Sequence, residues 1–176
     1  MIFKVCFTCI CLCLCIATSQ AEDSTYTVSD IKITDVKVAY VYDGDTVKLR
    51  PITSNDTQDD FKLRLTDIDA PERNQSFGLK SRRALIKLCK GKNINVTAKI
   101  SGTDKYQRSL GRLECNGIDA SVYLAEQGLA WFYRQYSNDT AIDNAARNAR
   151  QLALGLWADK YPIAPWQWRQ LHRYYQ

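Results

Sequence analysis

Histidine is almost absent from this chain. Among its 176 residues there is one, His172, and it lies close to the C-terminal end. Hydrolysis by a Ser-His-Asp triad, zinc chemistry on histidine ligands and nucleases built on a pair of histidines all lack their essential parts here. Any chemistry must therefore use carboxylates, arginines, tyrosines and a hard metal ion.

Cysteine is scarce as well once the first 21 residues are set aside, since five of the seven cysteines lie there. This segment has one cation, then an apolar run of about 12 residues and small residues before a cut after Ala21, which is typical of a cleaved signal peptide. The run is shorter than the roughly 20 residues that cross a bilayer, so we expect no membrane anchor. The sequence predicts a secreted or periplasmic mature chain.

Two cysteines remain, Cys89 and Cys115, 26 positions apart. In an oxidising compartment a disulfide between them would contribute about 3 kcal/mol to stability. The alternative is a pair of buried free thiols, because the sequence does not say whether the two Cα atoms lie within about 7 Å of each other.

Linkers and internal repeats are also missing. We expect one domain over residues 22–176, with a core from about 33 to 157 and an aromatic and basic extension over 158–176, whose tryptophans pack onto the body. Without Lys4 the chain has 23 basic and 19 acidic side chains. This small excess is consistent with a polyanionic substrate without establishing one. A monomer is the default expectation.

Apolar alternation predicts strands over residues 31–41, 46–49, 61–65, 93–99 and 110–115. Apolar spacing and capping residues predict helices over 78–90, from Asp119 to Gly128, and from 138 to about 154. Turns are predicted at Asp43-Gly44 and Asn116-Gly117, and a polar loop between residues 51 and 60. This order predicts an α+β fold: a five-stranded Greek-key barrel of the oligonucleotide-binding (OB) type with three helices.

The stretch from Arg64 to Glu72 has the composition of a functional site. Side chains alternate along a strand, so Arg64 and Asp69 need a bend between them to aim at one point. Pro71 restricts its own backbone and that of Ala70, so Glu72 leaves the strand in a fixed direction. The alternative is a surface turn with incidental charges.

Asp45 and Asp69 become neighbours if the first hairpin lies beside the third strand. Without histidine or cysteine ligands, two carboxylates favour Ca²⁺ or Mg²⁺, completed by water and a backbone carbonyl such as that of Ala70. We favour Ca²⁺ for an extracytoplasmic protein. The alternative is two aspartates that merely form turns.

Arg64 and Arg108 are candidates for binding phosphate, because guanidinium groups stay charged and bind it through two hydrogen bonds. Glu72 is then the candidate base that takes a proton from water. The alternative interpretation of Glu72 is a structural salt bridge with an arginine.

Three motifs, Asp-Gly-Asp-Thr-Val-Lys-Leu from Asp43, Arg-x4-Asp-x-Pro-Glu from Arg64 and Asp-Lys-Tyr-x-Arg from Asp104, together resemble the staphylococcal (micrococcal) nuclease family. The resemblance implies a Ca²⁺-dependent phosphodiesterase that cuts DNA and RNA on the 5′ side of the phosphodiester and leaves 3′-phosphates. It implies metal ligation by Asp45, Asp69 and the carbonyl of Ala70, and catalysis by Arg64, Glu72 and Arg108.

Some positions depart from the family pattern. Ala70 stands in place of a threonine, Gln107 in place of a glycine, and Arg134 in place of a tyrosine near the nucleotide base, while Tyr136 keeps the next tyrosine. We take Tyr106, Arg134 and Tyr136 as candidate substrate-binding residues.

Two other function classes stay open. A non-catalytic OB-fold module would bind nucleic acid or a protein, and a glycosidase would need only a carboxylate pair. All five polar side chains of the implied site are present, which argues against the module. Paired arginines fit phosphate better than sugar.

Overall fold

Eight strands and four helices follow one another in this computed structural model, which describes residues 31–52 and 59–173. The strands are β1 (Ile31–Val41), β2 (Thr46–Pro51), β3 (Phe61–Leu65), β4 (Ile68–Asp69), β5 (Val96–Thr103), β6 (Ser109–Cys115), β7 (Ile118–Asp119) and β8 (Trp131–Phe132). The helices are α1 (Gly78–Cys89), α2 (Ala120–Glu126), α3 (Thr140–Gln151) and α4 (Pro165–Leu171). The predicted signal peptide and most of the polar loop predicted between residues 51 and 60 lie outside the described residues.

Five strands close into a barrel. Antiparallel pairings join β3 to β2, β2 to β1, β1 to β5 and β5 to β6, and a parallel pairing of β6 with β3 closes the ring. The predicted α+β barrel of the OB type is therefore confirmed. The chain has a fourth helix that we did not predict, because the seven residues of α4 are too few to show an apolar period.

The interior of the barrel is filled by aliphatic side chains that alternate along the strands. Val47 and Leu49 of β2 and Leu63 and Leu65 of β3 are fully buried. A slip of one residue would turn all of them to solvent, so this alternation fixes the register of the strands. It also places Arg64, which lies between the two leucines of β3, on the opposite face.

The hairpin between β1 and β2 is present as predicted, but Gly44 is not needed there for the backbone conformation of the turn. The backbone at Gly44 is not left-handed. A Cβ atom there would lie 1.9 Å from Oγ of Ser81 and 2.6 Å from Cβ of Ala70. Gly44 is therefore required for close approach, because α1 and the segment after β4 both pack against this turn.

Arg112 on β6 holds three aspartates from three elements. Its guanidinium nitrogens lie 3.1 Å from Asp67, 2.8 Å from Asp119 and 2.8 Å from Asp139. Asp119 and Asp139 also cap α2 and α3 by accepting backbone N–H groups, as predicted. One cation thus joins the starts of both helices to the bend before β4.

A disulfide joins the end of α1 to the end of β6. The Cα atoms of Cys89 and Cys115 are 5.2 Å apart. The bridge fixes α1 against the barrel. The loop that carries Glu72 connects β4 to α1, so it is anchored at its C-terminal end.

Replacing Arg112 with alanine is expected to lower the free energy of unfolding by about 2–3 kcal/mol, because three partly buried carboxylates lose their cation. The hydrogen bond from Arg112 lowers the pKa of Asp139 below its ordinary value of 3.8. The contribution of Asp139 is therefore present above that value and is lost as the pH falls through the lower pKa of the folded state. Urea unfolding at pH 7 and pH 3 measures both effects.

The control for this prediction is Lys99→Ala. Lys99 lies opposite Arg112 on β5, and its Nζ is 3.1 Å from Oε1 of Glu114 in an exposed pair. Exposed pairs contribute about 0–1 kcal/mol. Equal losses from both substitutions would contradict the role given to Arg112.

Candidate active site

Arg64 bridges two buried carboxylates. Its Nε lies 3.2 Å from Oδ1 of Asp45, which follows the β1–β2 turn, and its Nη2 lies 3.0 Å from Oδ1 of Asp69 on β4. Nη1 donates to the carbonyl of Ile68 at 3.0 Å. The side chain of Arg64 is therefore held on three sides, and it sets the positions of both aspartates.

The bend that brings Arg64 and Asp69 together lies at Asp67. Its backbone is left-handed, with φ 70°, a conformation that aspartate tolerates better than most residues. Oδ2 of Asp67 accepts from Oγ1 of Thr66 and from Arg112. The expected bend between Arg64 and Asp69 is therefore present, and the left-handed backbone of Asp67 supplies it.

Burial raises the pKa values of both aspartates. Asp45 is 5% and Asp69 is 1% exposed. Burial raises the pKa of Asp45 to about 6, although Arg64 opposes this rise. Burial also raises the pKa of Asp69, against the effect of a hydrogen bond from Arg169. Two desolvated carboxylates in one place are stable as anions only beside cations.

The donor set suits a hard cation. Asp45 and Asp69 offer only carboxylate oxygens, and Ala70 is held beside Asp45 because its N–H donates to Oδ2 of Asp45 at 2.6 Å. Within residues 31–52 and 59–173, no group of three or more His, Cys, Asp and Glu side chains is arranged to hold a metal ion. Two carboxylates completed by backbone and water oxygens are compatible with Ca²⁺ or Mg²⁺.

All the predicted catalytic side chains line one cavity of about 470 Å³. Its lining residues are Asp43, Asp45, Thr46, Arg64, Asp69, Glu72, Tyr106, Arg108 and Arg169. The barrel face, the loops at its edge and α4 thus bring three cationic and four anionic side chains together. Such a cavity can bind a charged group and exchange protons with it.

Arg108 is positioned by a tight loop. Asp104 accepts from the backbone N–H groups of Tyr106 and Arg108, and its Oδ2 lies 2.7 Å from Nη2 of Arg108. Gln107 has φ 61°, so this position needs the left-handed backbone that glycine adopts most easily. Gln107 therefore holds a backbone conformation that glycine would adopt at lower cost.

Sequence reasoning missed Arg169 on α4. Its Nη2 lies 2.7 Å from Oδ2 of Asp69, and its Nη1 lies 2.8 Å from Oε1 of Glu72. The alternative interpretation of Glu72, an ion pair with an arginine, is thus also realised. Arg169 is 100 positions from Asp69 in the sequence, and only the mixed basic and aromatic composition of the tail hinted at a role.

Asp43 and Thr46, which belong to the first of the three motifs, both form hydrogen bonds with Asp45. Oγ1 of Thr46 donates to Oδ1 of Asp45 at 3.0 Å, and Oδ1 of Asp43 accepts from the N–H of Asp45 at 3.0 Å. Asp43 adds a further negative charge that helps to raise the pKa of Asp45.

The three candidate substrate-binding residues lie in different places. Tyr106 is exposed at the cavity that holds the catalytic candidates. Arg134 lines a separate groove and pairs with Asp143. Tyr136 is 70% exposed and lies edge-on against Tyr133, with ring centroids 4.7 Å apart. The structure therefore places one of the three at the candidate active site.

The C-terminal extension packs onto the body, as predicted for its tryptophans. Trp166 stacks on Tyr133 with ring centroids 5.2 Å apart, and its edge contacts Trp131 at 5.5 Å. Nε2 of Gln75, in the loop after Glu72, donates to the carbonyl of Ile163 at 2.7 Å. These contacts bring α4 beside the cavity.

Known proteins are similar in sequence to this chain over most of its length. Residues 62–159 match the staphylococcal nuclease homologue family. An uncharacterized endonuclease of Haemophilus influenzae is 40% identical over 134 residues, which cover 76% of this chain and 72% of that protein. A micrococcal nuclease of Shigella flexneri is 33% identical over 145 residues, covering 76% and 79%.

A plant relative is matched over a shorter part. The staphylococcal-like nuclease CAN1 of Arabidopsis thaliana is 34% identical over 113 residues, which cover 64% of this chain and 34% of that protein. Among the residues that the structure describes, no helix has the length and apolar character needed to span a membrane. The family match and these relatives agree with the barrel and with the charged cavity on its face. The chain belongs to the staphylococcal nuclease family and is a nuclease of the micrococcal type.

Proposed function

We propose that this nuclease hydrolyses phosphodiester bonds of DNA and RNA with Ca²⁺, and that it cuts on the 5′ side and leaves 3′-phosphate ends. One observation carries the proposal: Arg64 is bonded to both buried aspartates at a cavity that Glu72 and Arg108 also line. The resemblance of the three motifs to the family supports the metal, the substrates and the position of the cut.

Asp45, Asp69 and the carbonyl of Ala70 would hold the ion. Bound Ca²⁺ supplies positive charge where negative charge grows on the phosphoryl group. The hard oxygen donors and the burial of both carboxylates support this assignment. Arg64 keeps the two carboxylates at a fixed spacing because it forms an ion pair with each of them.

Arg64 and Arg108 bind the oxygens of the scissile phosphate through charged hydrogen bonds. Glu72 takes a proton from water while the water oxygen bonds to phosphorus. The bond from phosphorus to the 5′ oxygen breaks, and that oxygen takes up a proton from solvent. Proton transfer of this kind contributes about 10²- to 10⁴-fold to the rate.

Export is part of the proposal. The leader over residues 1–21 predicts secretion or passage to the periplasm. The disulfide between Cys89 and Cys115 is consistent with that destination, because such bridges persist in oxidising compartments.

Glu72→Gln is expected to lower kcat by at least about 10²-fold, because the amide cannot accept the proton. Thermal stability and nucleotide binding should be retained, since glutamine keeps the size of the side chain. Initial rates on single-stranded DNA and on RNA measure the effect. Glu114→Gln is the matched control, because Glu114 pairs with Lys99 on the barrel surface. A Glu72→Gln enzyme with at least half the activity would rule out Glu72 as the base.

Chelation with EGTA is expected to stop the release of acid-soluble nucleotides from single-stranded DNA, and added Ca²⁺ should restore it. Activity that survives EGTA would contradict the calcium mechanism. Tight DNA binding with no release under any metal would favour the non-catalytic module, and release of sugar from a glycan would favour the glycosidase.

A further inference from the structure

Arg169 lies outside the part of the chain that matches the family model, which ends at residue 159. It lies on α4, which packs through Trp166 against Tyr133. The segment before α4 is tied to the loop after Glu72 by the hydrogen bond from Gln75 to the carbonyl of Ile163. The position of Arg169 is therefore set by contacts other than its own ion pairs.

The guanidinium of Arg169 faces Asp69 with both of its terminal nitrogens. Nη2 lies 2.7 Å from Oδ2 and Nη1 lies 3.2 Å from Oδ1 of Asp69. Nη1 also donates to Oε1 of Glu72 at 2.8 Å. Paired, charged hydrogen bonds of this kind are among the strongest that side chains make. Arg169 thus binds the predicted metal ligand and the predicted base together.

Every oxygen of the two aspartates has a donor in this arrangement. Asp69 accepts from Arg64 and Arg169. Asp45 accepts from Thr46 and the N–H of Ala70, and it forms an ion pair with Arg64. Arg64 and Arg169 lie among the carboxylates of Asp45, Asp69 and Glu72. A divalent ion on the oxygens of Asp45 and Asp69 adds positive charge beside both arginines, and like charges a few ångströms apart repel most strongly where burial lowers the local dielectric constant.

The two arginines differ in how easily they can move. The side chain of Arg64 is 16% exposed and lies on a barrel strand, whereas that of Arg169 is 42% exposed and lies near the end of α4. A long exposed side chain reaches solvent by rotating its own bonds. Displacing Arg64 would disturb the barrel face. Arg169 is therefore the arginine that moves away more easily from the carboxylates.

We propose that Arg169 is a tethered competitor of the metal ion: it occupies Asp69 and Glu72 when no metal is bound, and Ca²⁺ displaces it. This inference rests on the proposed calcium site. When Arg169 is displaced, Oε1 of Glu72 loses the hydrogen bond that it accepts from Nη1 of Arg169. Metal binding and release of the base therefore occur together. The coupling is reciprocal, so bound metal also weakens the hold of Arg169 on the site.

The test is a calorimetric titration of the full chain with CaCl₂ in the absence of nucleic acid. Arg169→Gln should lower the Kd for Ca²⁺ by about tenfold, within the range of about 5- to 150-fold typical of coupled sites. Arg169→Lys, which keeps the charge but not the paired hydrogen bonds, should give an intermediate Kd. Arg173→Gln is the matched control, since Arg173 is exposed four residues further along, and its Kd should stay within about twofold of the wild type.

A second readout is the rise in Tm that a fixed concentration of CaCl₂ produces, because an ion that binds only the folded state stabilises it in proportion to its affinity. The rise should be larger for Arg169→Gln than for the wild type. A Kd that is unchanged or higher in both Arg169 variants would overturn the competition. If neither the wild type nor the variants bind Ca²⁺, both the inference and the calcium site fail. An unchanged Kd in an enzyme that still needs Ca²⁺ for activity overturns the inference alone.

Discussion

The contact of one guanidinium with two buried carboxylates is the constraint on which the site depends. Arg64 lies 3.2 Å from Asp45 and 3.0 Å from Asp69. Asp45 lies in the connection between β1 and β2, Asp69 lies on β4, and burial raises the pKa values of both. Without a cation between them, their repulsion would separate the β1–β2 turn from β4. With Arg64 in place, two buried carboxylates are held together at the wall of the cavity.

The barrel determines where Arg64 and Asp69 lie. The same alternation that buries Leu63 and Leu65 places Arg64 on the outer face. The left-handed backbone at Asp67 turns the chain so that Asp69 returns towards Arg64, and Arg112 holds that bend from β6. The stability of the fold and the geometry of the site thus share residues, which is why the charged cluster is costly to disturb.

Much of the fold and part of the site were accessible from the sequence. Period-two alternation and the capping aspartates predict the five barrel strands and two helices, because these signals are local. The two-residue strands β4, β7 and β8 are too short to show alternation. Arg64, Asp69 and Glu72 are close in sequence, and motif spacing links them to Asp45 and Arg108. Arg169 was not accessible, because it reaches Asp69 only through packing of the C-terminal segment. The role of Gly44 also depends on a tertiary contact, its close approach to Ser81.

We propose that the two aspartates held by Arg64 form a calcium site. The most direct measurement is the anomalous difference map of a crystal soaked in CaCl₂. A calcium ion at this site is expected to give one peak between Asp45 and Asp69, within about 2.3–2.6 Å of an oxygen of each, with Arg64 still in contact with Asp69. A peak elsewhere, or none in crystals of an active enzyme, would contradict this assignment.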